Sequence, residues 1–175
     1  MTVRSKCDMK KNNTKRLTTL ALLVAVAMML SYIEAQIPIS VSVPGVKLGL
    51  SNIATLFALY ILGASEAALV SVVRVVLSSF IFANPIMMIY SLSGAALALI
   101  FMILMKRLGV FSMLGVSVVG GVMHNAGQII AAVILMKDSG IVYYLVPLVI
   151  SGTVAGVAVG AVAALLVKKI GKELR

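Results

Sequence analysis

Apolar stretches separated by short polar breaks run along most of this chain, and six of them predict helices. They are Leu17–Ile33, Leu48–Leu62, Glu66–Ile81, Pro85–Met105, Phe111–Met136 and Ile141–Val167. A helix of about 20 apolar residues crosses the roughly 30 Å hydrocarbon core of a bilayer. The second and third stretches fall short of that and are joined by a tight Gly63-Ala64-Ser65 turn, whereas the fifth and sixth are long enough to tilt. The pattern predicts an all-α membrane protein, a six-transmembrane-helix bundle. It divides into a basic tail (1–16), a transmembrane domain (17–167) and a second basic tail (168–175). The first apolar run lacks a small-residue cleavage site and reads as a retained span.

The break after the first span has a different pattern. Glu34 to Lys47 reads EAQIPISVSVPGVK, with Pro38 and Pro44 to stop a helix and Ile39 to Val43 alternating apolar and polar as a short strand would. It reads either as an ordered lid over one face of the bundle or as a plain connector.

Composition supports the membrane reading: 62% of residues are hydrophobic and the mean hydropathy is +1.15. The net charge of +10 would be compatible with nucleic acid, but the basic residues flank apolar spans and lack interleaved aromatics. They fit membrane anchoring instead. With six spans the two termini share a side. Twelve basic residues fall there: Arg4, Lys6, Lys10, Lys11, Lys15, Arg16, Lys106, Arg107, Lys168, Lys169, Lys172 and Arg175. Lys47 and Lys137 fall on the other. The positive-inside rule then places both termini in the cytoplasm, with the protein in the plasma membrane.

Small residues mark close helix approaches. Gly152, Gly156 and Gly160 share one face of the sixth span, where a neighbouring backbone can come near. Gly94, Ala95, Ala96 and Ala98 do similar work on the fourth. Ala21 and Ala25 form a small-xxx-small pair on the first, a surface either for internal packing or for docking a partner membrane protein.

Charged and polar residues within the spans are few. Arg74 lies in an apolar run, Ala67 to Phe82, without another charge. A charge near the bilayer centre costs several kcal/mol and faces the bundle interior or a wet cavity. Asn52 lies about one turn inside the second span, Tyr90 in the fourth, and His124, Asn125 and Gln128 in the fifth behind Gly120 and Gly121. Glu34, Lys47, Asn84, Tyr143 and Tyr144 can ring a mouth. The constellation reads either as hydrogen-bonded glue or as a ligand cavity of Arg74, Asn52, His124, Asn125, Gln128, Lys47 and Tyr90. Arg74, having no mid-span carboxylate to pair with, should seat an anionic or carbonyl group. Glu66 reads as a charge at a helix start.

Other chemistry is missing from the sequence. There is no GxxxxGK[ST] loop. One His, one Cys and two well-separated Asp, Asp8 and Asp138, make no metal or paired-carboxylate site. The chain is read as a non-enzyme with no cofactor.

The stretch Pro44-Gly45-Val46-Lys47-Leu48-Gly49-Leu50-Ser51-Asn52-Ile53-Ala54, followed by His124-Asn125-Ala126-Gly127-Gln128, resembles small bacterial membrane proteins labelled Gx transporter or heptaprenyl diphosphate synthase component I. These in turn resemble the S components of energy-coupling-factor vitamin transporters. The resemblance covers essentially all of the chain after the N-terminal tail. It implies six helices, cytoplasmic termini, an outward-opening pocket capped by the first outer loop, and an alanine motif on the first span that docks a transmembrane coupling subunit served by ATPase subunits. Ala21-x-x-x-Ala25 matches that motif. The synthase label sits poorly with Asp8 and Asp138, because prenyl diphosphate synthases hold magnesium-diphosphate through Asp-rich motifs. Two readings follow. One is the substrate-binding subunit of an importer for a small organic molecule such as a vitamin or flavin. The other is a non-catalytic membrane accessory subunit of an isoprenoid, quinone or electron-transfer enzyme.

Overall fold

The computed structural model describes residues 3–36, 49–82 and 85–174. These form six α-helices: α1 (Val3–Gln36), α2 (Asn52–Ile61), α3 (Ala64–Phe82), α4 (Pro85–Leu108), α5 (Met113–Met136) and α6 (Leu145–Leu174), with a 3₁₀ turn over Ser139–Tyr144 before α6. The protein is a helical membrane bundle. Five of its helices are long and apolar enough to cross a bilayer, and α2 is not.

Local chemistry sets the ends. Pro85 opens α4, where its missing N–H is unneeded. The Ser112 hydroxyl accepts from the Gly115 amide at 3.2 Å and caps α5. Gly63, at φ +129°, makes the sharp reversal between α2 and α3. The structure extends α1 and α6 beyond the apolar spans, so both basic flanks continue their helices. The sixth span, expected from Ile141, begins as a 3₁₀ turn.

The second span needs a correction. Its helix starts at Asn52, not Leu48, and its ten residues rise only about 15 Å. Gly49, at φ +67°, turns the backbone immediately before it, and the Gly49 amide donates to Glu34 Oε1 at 2.6 Å. A helix this short does not span the bilayer by itself, and it lies inside the protein: every residue from Ile53 to Leu59 is buried.

Two contacts show that the chain nevertheless returns along α1. Gly49 touches Glu34 near the end of α1, and Glu66 at the start of α3 pairs with Arg16. Arg16 and Glu34 are separated by roughly 27 Å of helix, so residues 49–66 run back over the whole distance. Lys106 near the end of α4 donates to the Leu59 carbonyl at 2.5 Å and lies 4.8 Å from the Tyr60 ring centre. Gly171 of α6 packs on Ile61. Arg16, Lys106 and Gly171 therefore lie at one end of the bundle. That is the arrangement the twelve basic residues predict for an even number of crossings. The residues expected to form a lid, apart from Glu34 to Gln36 in the last turn of α1, lie outside the described residues, as do Lys47 and Asn84.

The core gathers around α2. Leu56, Ala58 and Leu59 pack with Val70, Ala98, Met102, Val116, Val159 and Ala163. α5 packs most extensively, against α4 on one side and α6 on the other. The glycine stripe of α6 is internal: a Cβ on Gly156 would lie 2.6 Å from the Val118 Cα, and one on Gly160 would lie 3.0 Å from the Leu114 Cα. On α5, Gly121 faces the Gly152 carbonyl, and Gly127 faces the Ser93 carbonyl of α4. α1 is peripheral. Of its described side chains only Ala27 is buried, while Ala21 and Ala25 are exposed.

Candidate functional site

All six helices contribute to one cavity. Glu34 comes from α1, Asn52 and Leu56 from α2, Arg74 from α3 and Met102 from α4. Ser117, Gly120, His124 and Asn125 come from α5, and Gly152, Ala155 and Gly156 from α6. The turn residues Gly49 and Ser51 complete it. The cavity measures about 50 Å³. That is room for a few waters or one small polar group, far below the several hundred Å³ of a drug-sized pocket.

Arg74 organises the site. It lies near the middle of α3, eight residues beyond Glu66 and so about 12 Å from the basic end. It is only 8% exposed. Its Nη1 donates to the Ser51 hydroxyl and its Nη2 to Asn52 Oδ1 at 3.3 Å, tying α3 to the start of α2. Nε is buried and has no hydrogen-bond partner among the described residues. Neutral acceptors hold the guanidinium, as expected for a span without a carboxylate.

Glu34 departs from the expectation. Its position after the first span predicts a residue of the ring around a mouth, but it lines the same cavity as Arg74. Its carboxylate is held by the Gly49 amide and does not close an ion pair with Arg74, although the two charges attract.

On α5, Asn125 is 4% exposed and its Nδ2 donates to the Leu148 carbonyl of α6 at 2.6 Å. This residue therefore does structural work as well as lining the cavity. His124 lines it too. Gln128 does not: its stem packs on Gly94 of α4, and its buried Oε1 lacks a partner among the described residues. Tyr90 is also absent from the lining, and its carbonyl accepts from the Ser93 hydroxyl at 2.9 Å. Gly120 and Gly121 of α5 both line the cavity, and protein presses closely on each. A Cβ on Gly120 would meet the Met102 sulphur at 2.6 Å, and Gly121 meets α6.

The sequence reading missed Ser51, Ser117 and the glycines of α6 as lining residues. Ser51 could have been found from its place beside Asn52. Ser117 carried no signal beyond a polar residue in an apolar run. A second polar cluster lies at the basic end. There Glu66, 6% exposed, accepts from the Ser65 hydroxyl at 2.8 Å and pairs with Arg16. Glu66 does sit in the first turn of α3, as expected, and it also fastens that turn to α1. Among the described residues no group of three or more His, Cys, Asp or Glu could hold a metal ion.

No curated protein and no solved structure matches the chain. A known family does: residues 23–166, which leave out the first 20 residues of α1 and the last eight of α6, match heptaprenyl diphosphate synthase component I, and the chain belongs to that family.

Proposed function

We propose that the chain is the substrate-binding membrane subunit of an energy-coupling-factor-type importer for a small organic molecule. It captures its ligand on the outer side, and a transmembrane coupling subunit with its ATPase subunits drives release inward. The observation that carries this reading is the convergence of six helices on one cavity around a buried, incompletely partnered arginine. A cavity lined from every helix is sensitive to any relative movement of the helices.

The partner surface is proposed on α1. Ala21 and Ala25 are exposed, so larger side chains there do not disturb the core. Ala21→Leu combined with Ala25→Leu is expected to leave folding and ligand binding intact and to abolish co-purification with a transmembrane partner. Loss of folding in the double variant would assign these alanines to internal packing.

Both termini are proposed to be cytoplasmic, in the plasma membrane, because the bundle end holding Arg16 and Lys106 is the basic one. A Ser42→Cys variant should be labelled by a membrane-impermeant thiol reagent in intact cells, while Cys7 stays protected. The reverse pattern would invert the orientation.

The family name favours a second reading, in which the chain is a non-catalytic membrane accessory subunit of a prenyl diphosphate synthase. Under that reading the purified chain binds no small molecule by itself.

A further inference from the structure

The cavity holds two opposite charges that are kept apart. Gly49 holds Glu34 through its amide, and Ser51 and Asn52 hold Arg74. All five residues line the cavity, and the buried Nε of Arg74 is left with a donor to give. An anion placed beside Arg74 would leave the cavity with a net negative charge next to Glu34, and a cation beside Glu34 would leave it net positive. Uncompensated charge is expensive at membrane depth. A group carrying both polarities leaves the cavity neutral and satisfies both ends.

Resting on the capture reading above, we propose that the cavity takes an overall neutral, two-ended polar group. Its acceptor, a carboxylate or carbonyl oxygen, meets Arg74, and its hydrogen-bond donor, an ammonium or N–H, meets the Glu34 carboxylate. The small cavity volume sets the size of this group at a few heavy atoms. Glu34 is then a specificity residue that excludes simple anions, and Arg74 alone does not define the ligand.

Three small probes separate the possibilities: glycine (a zwitterion), acetate (an anion) and methylammonium (a cation). Each is titrated into the full chain in detergent, followed by saturation-transfer NMR and by the thermal unfolding midpoint. Glycine is expected to bind wild-type protein about tenfold or more tighter than either half of it. Glu34→Gln keeps an oxygen for the Gly49 amide but removes the charge, so acetate should then bind tighter than glycine. Acetate binding the wild type as well as glycine does, an unchanged ranking in Glu34→Gln, or no binding by any probe would overturn the proposal. Should Glu34→Gln fail to fold, the wild-type ranking decides alone. Capture of some other ligand by the purified chain would still stand if these probes failed, so the two readings fail separately.

Discussion

Gly152→Val is expected to dismantle the packing of α5 on α6 and to cost about 3 kcal/mol or more, at or beyond the upper end for overpacking. A Cβ at this position already lies 2.9 Å from the Gly121 carbonyl oxygen and 2.8 Å from Asn125 Nδ2. One neighbour is backbone and cannot rotate away. The other is the amide that bonds the Leu148 carbonyl, so moving it leaves a buried donor and acceptor unpaired. Helices that approach this closely gain their contact from missing side chains. Ala158→Val on the exposed face of the same helix adds similar bulk and should change stability little. Helicity followed by circular dichroism on heating in mild detergent checks both. Equal melting of the two variants would show that the α5–α6 contact is loose.

Arg74→Met is expected to separate stability from binding. The substitution removes hydrogen bonds to Ser51 and Asn52, each a modest contribution in a membrane. It also removes the desolvation cost of a buried guanidinium, but it leaves Glu34 as the uncompensated charge of the cavity. The fold should survive with a stability loss of about 1–3 kcal/mol, the cost of leaving buried polar groups without their partner. Ligand affinity should fall by about 1.5–3 kcal/mol, the range for a hydrogen bond to a charged group. Unchanged affinity together with a large drop in melting temperature would make Arg74 a structural strut between α2 and α3.

Helix count and many helix ends were legible because lipid imposes length and continuous hydrophobicity. Arg74 could be assigned to the interior by cost alone, and Gly152, Gly156 and Gly160 could be assigned to one face by spacing. What each face meets was not legible. Spacing does not say that Gly121 opposes Gly152, or that Gly94 opposes Gln128. For the same reason Gln128 shares a helical face with His124 yet leans toward α4 and leaves the cavity to His124 and Asn125. The place of Tyr90 along its span gives its depth, and depth does not fix direction. The shortness of α2 depends on a tertiary contact, the Gly49 amide against Glu34, joining residues fifteen positions apart. Once that contact is known, Glu34 changes from a rim charge into a partner of the cavity.

On the capture reading this chain, alone, holds a small molecule in the cavity around Arg74. Native mass spectrometry of wild-type protein and Arg74→Met, each purified from cells in the same detergent and released from micelles in the gas phase, addresses it most directly. An adduct of one defined small mass is expected on the wild type and should be lost or strongly reduced in a folded Arg74→Met protein. Wild-type protein carrying no adduct, or carrying one retained at equal occupancy in Arg74→Met, would contradict it.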